Sequence, residues 1–121
     1  MLLSIIIVSY NEGKYISQAI ESCLSQVGVC DYEIIIGDDG STDNSLEVIK
    51  EYYKRYPNKI RYFVMDRDET DGVIGAIRAS NVIKAAFAIA KGKYINILSA
   101  DDYFCDDNKL QKAIDMLENE N

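Results

Sequence analysis

Two pairs of adjacent aspartates, Asp38 with Asp39 and Asp101 with Asp102, are the residues of this chain best suited to hold a polar ligand. Each pair closes a short apolar run, YEIIIG before the first and YINILSA before the second. Such runs, bounded by turn signals, suit strands buried on both faces, so each acid pair is predicted where a strand delivers it to a loop. In open α/β sheets ligands bind outside the carboxyl ends of the strands. An ionised carboxylate only accepts hydrogen bonds, so Asp38 or Asp39 can pair with a ring N–H of a base or with ribose hydroxyls. Uracil, thymine and guanine present such an N–H, whereas cytosine does not at the equivalent position. Tyr10, in the turn after the first apolar run, offers a flat face on which a base can rest while its hydroxyl stays wet. Asp101 and Asp102 can hold Mg²⁺ or Mn²⁺ against a diphosphate, because these cations take oxygen ligands and commonly use one or two carboxylates plus phosphates. Taken singly, each pair also fits a plainer role: Asp38 and Asp39 as turn and capping residues at a helix N-terminus, and ADDYF as a solvated loop before a helix.

Composition removes several other chemistries. The chain has no histidine, which excludes a His base, a His zinc ligand and a Ser/His/Asp triad within it. Its three cysteines form no CxxC pair, so they suggest neither a disulfide framework nor a zinc knuckle, and a reducing cytosol fits them best. They read as core fillers. A formal charge of −7 argues against a nucleic-acid partner, since that affinity comes from clustered Lys and Arg. An acidic protein that binds a phosphate ligand usually has a divalent cation between them, which raises the question of a metal. The apolar start MLLSIIIVSY is too short to span a bilayer and lacks the basic flank of a signal peptide, so it reads as a strand.

The elements that must position these residues follow from periodicity. Leu2 to Ser9 is the first strand, and Tyr10 to Gly13 is a turn. Ile16, Ala19, Ile20, Cys23, Leu24 and Val27 then mark the core face of a helix. Glu33 to Gly37 is the second strand. Ser41, Thr42 and Asp43 are candidate N-caps for a helix carrying Leu46, Ile49 and Tyr53. Ile60 to Met65 is the third strand, and Asp66 to Gly72 is a loop without apolar period. From Ile74 the pattern is again helical, best in Val82, Ala85, Ala86 and Ile89, with Gly92 as its C-terminal cap. Tyr94 to Leu98 is the fourth strand, and Leu110, Ala113, Ile114 and Leu117 mark the last helix. Alternating strands and helices imply a three-layer, Rossmann-like α/β fold with a mostly parallel sheet. Strand order 3-2-1-4 brings the turns after strands one, two and four to one crevice at the topological switch point.

The first turn, SYNEGKY, lacks the GxGxxG of dinucleotide-binding folds. At SIIIVSYNEGKYISQAIESCLSQ, YEIIIGDDGSTDNSLEVI and AKGKYINILSADDYF the chain resembles the amino-terminal half of family 2 inverting nucleotide-sugar glycosyltransferases. The resemblance implies a GT-A fold over nearly the whole sequence, with a UDP-type nucleotide-diphosphate sugar as donor and a saccharide or lipid-linked hydroxyl as acceptor. Position by position it implies that Val8 and Tyr10 contact the base, Asp39 pairs with its ring N–H, and Asp38 supports that turn. It further implies that Asp101 lies near the ribose and that Asp102 ligates a Mn²⁺ or Mg²⁺ ion. Ser99 stands where many relatives carry the first acid of a D-x-D-type motif. Arg78, Asn81 and Lys84 each suit the phosphate or sugar role, and the pattern does not choose among them. The catalytic general base is expected beyond Asn121, in an acceptor half absent from this sequence, so the isolated chain is expected to transfer little sugar. The expected setting is cytoplasmic, at the inner membrane face in a full-length protein, with membrane contact confined to regions outside this sequence. A non-catalytic nucleotide-binding or interaction module is the second reading. A nucleotidyltransferase is a third, weakened because SYNEGKY is not a glycine-rich, basic triphosphate loop.

Overall fold

A computed structural model describes residues 1–29, 31–66 and 75–119. In chain order the elements are β1 (Leu3–Ser9), α1 (Ile16–Leu24), β2 (Tyr32–Asp38), α2 (Ser45–Arg55), β3 (Ile60–Val64), α3 (Gly75–Ile89), β4 (Tyr94–Ser99) and α4 (Lys109–Asn119). The strands form one parallel sheet in the order β3-β2-β1-β4, as the alternation predicts. The loop expected over Asp66 to Gly72 lies, beyond Asp66, outside the described residues.

Successive strand side chains point to opposite faces, and β1 shows why an unbroken Ile/Val run is needed in the sheet's middle. Ile5 and Ile7 join a large core with Ile34, Ile36 and Ile60, beneath Ile16, Ile20 and Cys23 of α1, Ile49 and Tyr52 of α2, and Leu110 and Ile114 of α4. Ile6 faces the other way and packs with Ile35 and with Ala86 of α3, with Val8 and Phe63 at the margin. The layers are therefore α1, α2 and α4 on one side and α3 on the other.

Several sequence-based details are corrected. The first helix ends at Leu24, and Val27 is exposed with its N–H donating to the carbonyl of Asp107 at 2.7 Å. The chain leaves the helix there because buried Gln26 bridges to α4. Its side-chain nitrogen donates to the Asp106 carbonyl at 2.9 Å, and its oxygen accepts from Leu110 N–H at 3.0 Å. Ala113 is exposed, leaving Leu110 and Ile114 as the inward face of α4. Gly92 is not a left-handed cap, since it is absent from the positive-φ glycines and α3 has already ended at Ile89. It is small because of close approach: a β-carbon there would lie 2.4 Å from the backbone nitrogen of Ser4. Among the cysteines, Cys23 fills the core and burial pushes its thiol up to about 12, whereas Cys105 is exposed.

The amino end of the sheet is held by a buried carboxylate. Glu33 accepts from Ser4 Oγ at 2.7 Å, from Lys91 N–H at 2.8 Å and from the Arg61 guanidinium. Arg61 also donates to the Ile89 carbonyl at 2.7 Å, and Gly92 N–H donates to Ser4 Oγ at 2.8 Å. Burial alone would push Glu33 up, but these donors outweigh it and hold the carboxyl below its ordinary value. No helix among the described residues is long and apolar enough to cross a membrane.

Candidate functional site

β1, β2 and β4 end level with one another: Ser9 pairs with Asp38, and Val8 pairs with Ser99. Just beyond these pairs, Asp39 N–H donates to the Ser9 carbonyl and Ala100 N–H donates to the Val8 carbonyl, each at 2.9 Å. The two acid turns thus leave the sheet on either side of β1, at the one place where consecutive connections run in opposite directions.

The β2 turn is built from its own polar side chains. Asp38 is fully buried, and its two oxygens accept from the N–H of Ser41 at 2.7 Å and from Ser41 Oγ at 2.6 Å. Asp39 follows, 7% exposed, and Gly40 takes φ 77°, where a side chain would be strained. The expected N-caps are displaced. α2 starts at Ser45 after Asn44, which makes no side-chain cap bond; Asp43 instead accepts from Ser45 N–H at 2.9 Å and Ser45 Oγ at 2.5 Å. Asp43 feels some desolvation, but donors from Ser45 and Gly13 outweigh it and lower its pKa.

The β1 turn is bound to this framework through consecutive backbone donors. Asn11 N–H donates to Ser41 Oγ at 2.8 Å, Glu12 N–H to Ser45 Oγ at 3.0 Å, and Gly13 N–H to Asp43 Oδ2 at 2.9 Å. In return, Asn11 Oδ1 accepts from Thr42 N–H at 2.8 Å and from Asp43 N–H at 3.3 Å. Asn11 has φ 52°, a left-handed conformation that asparagine tolerates better than most residues. Val8 and Tyr10 are both half-buried beside this turn. Glu12 has its pKa raised by partial desolvation and then by repulsion from Asp101 and Asp43, so it lies electrostatically between the two acid turns.

On the β4 side, Asp101 accepts from Ser99 Oγ at 2.7 Å, and Asp102 accepts from Tyr103 N–H at 2.9 Å. Both aspartates are exposed. Their oxygens are the donor type that Mg²⁺ and Mn²⁺ prefer, but no group of three or more potential ligands is assembled among the described residues. A cation here would need phosphate or water oxygens to complete its shell. Of the three candidates on α3, Arg78 is buried on the inward face with Val82 and Ala86, whereas Asn81 and Lys84 are exposed. Sequence reasoning singled out Tyr10 and the acids and read Ser41 as a candidate N-cap, but gave Asn11 and Glu12 no role beyond membership of the first turn. The Asn-Glu-Gly order in the first turn is the signal that could have found Asn11.

These features define an α/β domain of the GT-A type, with its polar edge at the carboxyl ends of β1, β2 and β4. The model for "Glycosyl transferase family 2" matches residues 4–121, and the chain belongs to that family. It is 40% identical over 104 residues to the poly(ribitol-phosphate) beta-glucosyltransferase of Bacillus spizizenii, covering 85% of this chain and 15% of that protein. It is 44% identical over 102 residues to the chondroitin synthase of Pasteurella multocida, covering 84% of this chain and 9% of that protein. Among solved structures, S. aureus TarS 1-349 in complex with UDP-GlcNAc is 26% identical with a TM-score of 0.71, covering 98% of this chain and 32% of the other. The mannosyltransferase PcManGT from Pyrobaculum calidifontis, solved with GDP-Man and Mn²⁺, shares the fold at a TM-score of 0.80 and 19% identity, covering 95% of this chain and 32% of the other. The chain therefore spans a third or less of the length of these relatives.

Proposed function

We propose that this chain is the donor-binding part of an inverting glycosyltransferase that uses a nucleotide-diphosphate sugar, with UDP as the nucleotide. The observation that carries this reading is the placement of Tyr10, Asp39 and the Asp101–Asp102 pair on three turns held to the end of β1. Family membership supports it, as does the resemblance to TarS, whose structure was solved with UDP and with UDP-GlcNAc.

In this reading Val8 and Tyr10 form the wall against the base, and Asp39 accepts its ring N–H. Asp38 acts through the turn, because Ser41 engages both of its oxygens. Asp101 faces the ribose. Asp102 would hold a Mn²⁺ or Mg²⁺ ion together with the diphosphate oxygens, and that ion, when bound, offsets the charge that builds on the leaving group. One of Arg78, Asn81 and Lys84 on α3 takes the phosphate or sugar role; Arg78 is buried and the other two are exposed. The acceptor, a saccharide or lipid-linked hydroxyl, attacks the anomeric carbon from the face opposite the diphosphate. A new C–O bond forms as the old one breaks, its electron pair leaves on the diphosphate, and the hydroxyl proton passes to a carboxylate base. The reading assigns that base, and the acceptor side, to sequence beyond this chain. Isolated residues 1–121 then bind donor but transfer little sugar, since holding both reactants together supplies much of such catalysis.

Calorimetric titration of UDP and GDP, with and without Mn²⁺, tests this reading. UDP binding that strengthens with Mn²⁺ is expected, and Asp39→Ala should weaken it about 10- to 100-fold, the equivalent of about 1.5–3 kcal/mol for a hydrogen bond to a charged group. Asp102→Ala should remove the Mn²⁺ dependence. A folded sample that binds neither nucleotide, or binding indifferent to both substitutions, overturns it.

A further inference from the structure

We propose that Asn11 is a positioning residue for the nucleotide base, acting by closing a clasp around the two side chains that meet it. The inference rests on the donor-binding reading above and goes beyond it, because Asn11 itself is given no contact with the ligand.

The clasp is a small ring of two chain segments joined at both ends. One segment is Ser9, Tyr10 and Asn11, and the other is Asp39, Gly40 and Ser41. At one end Asp39 N–H donates to the Ser9 carbonyl at 2.9 Å. At the other, Asn11 N–H donates to Ser41 Oγ at 2.8 Å, and Ser41 Oγ donates in turn to buried Asp38 at 2.6 Å. Asn11 adds a second tie, its side-chain oxygen accepting from Thr42 N–H at 2.8 Å. Tyr10 lies between the two joints on one segment, and Asp39 stands at a joint on the other. The separation of an aromatic wall from a hydrogen-bonding carboxylate is thus fixed at both ends of the ring, the condition under which a flat heterocycle can meet both at once.

Asparagine suits this position for two separable reasons. Its backbone adopts φ 52°, which glycine also allows but most side chains resist. Its side chain is short enough to reach the next turn with an amide oxygen, which glycine cannot do. Asn11→Gly therefore removes the tie while keeping the backbone conformation. Ser41→Ala opens the neighbouring tie at the same end of the ring, removing the acceptor of the Asn11 backbone N–H, which Asn11→Gly keeps.

The test measures UDP and inorganic diphosphate binding, each with Mn²⁺, by calorimetry of the wild-type chain, Asn11→Gly, Ser41→Ala and the double variant. Thermal unfolding is recorded for each. Expected are a loss of UDP affinity of about tenfold in each single variant, diphosphate affinity within about twofold of wild type, and a double variant little weaker than either single one, because the two ties close the same end of the ring and losing either one opens it. Amide exchange at Thr42 should rise in Asn11→Gly without any ligand. Unchanged UDP affinity in Asn11→Gly, or equal losses of UDP and diphosphate that track a fall in melting temperature, overturns the positioning role. Absence of UDP binding by the folded wild-type chain instead overturns the donor-binding reading on which the inference rests.

Discussion

Asp39 and Ser9 are joined by a backbone hydrogen bond of 2.9 Å one residue past the last β1–β2 pair, so the acid that leaves β2 is still in register with the strand that carries Tyr10. The backbone that carries this carboxylate is consequently tied to the sheet, although it belongs to a turn. Asp39→Asn keeps a side-chain acceptor but no charge. It should retain UDP binding better than Asp39→Ala while falling below wild type, an order that calorimetry can read.

Glu12 gives a pH signature. Partial desolvation and its neighbours Asp101 and Asp43 raise its pKa in the folded chain above the ordinary value of 4.5. The folded state holds this proton more tightly than the unfolded one, so the repulsion costs nothing below about 4.5 and appears as pH rises through the raised value. Glu12→Gln should stabilise the chain at pH 7 by a few tenths of a kcal/mol, and the advantage should vanish near pH 4, as followed by urea denaturation.

Glu33 has the opposite sign. Its folded pKa is lowered, so its stabilisation is fully present above 4.5 and is lost as pH falls through the lower folded value. Glu33→Gln at pH 7 should cost about 2–3 kcal/mol, since it weakens charge-assisted bonds to Ser4, Lys91 and Arg61 within a buried site. The gap between variant and wild type should narrow toward pH 3.

Gly92→Ala separates stability from binding. The added carbon meets the backbone of Ser4 and Leu3, which cannot rotate away. A loss of about 1–3 kcal/mol is expected, typical of overpacking. Because Gly92 precedes β4 and the acids follow it, UDP affinity below the unfolding transition should stay within twofold of wild type.

The sheet was legible because hydrophobic runs and turn chemistry agree at each strand. LSIIIVS and YEIIIGD are buried almost throughout, as short apolar runs bounded by turn signals require of central strands. Helix faces were read correctly where period and burial coincide, as at Ile16, Ala19, Ile20 and Cys23. Errors arose where a long-range polar contact decided the outcome. Gln26 reaches across to α4 and ends the run that Val27 suggested, and Gly92 answers to Ser4, 88 positions away. The acid pairs were visible as residues, and the strand ends bring their turns to one edge. The Asn11–Ser41 joint was not visible, because its partners are 30 positions apart and neither side chain is unusual in a turn.

The Glu33 network and the acid turns occupy opposite ends of the same strands. Glu33 follows Tyr32 at the start of β2, and Asp38 closes it. The Glu33 network holds β1, β2, β3 and the segment entering β4 together where no ligand is proposed to bind, while buried Asp38, Asp39 and Ser45 hold the opposite end. On that far rim the exposed Asp101 and Asp102 can be exchanged without opening a buried network, whereas Asp38 and Asp39 cannot, so the two acid turns divide between one that is part of the fold and one that is only carried by it.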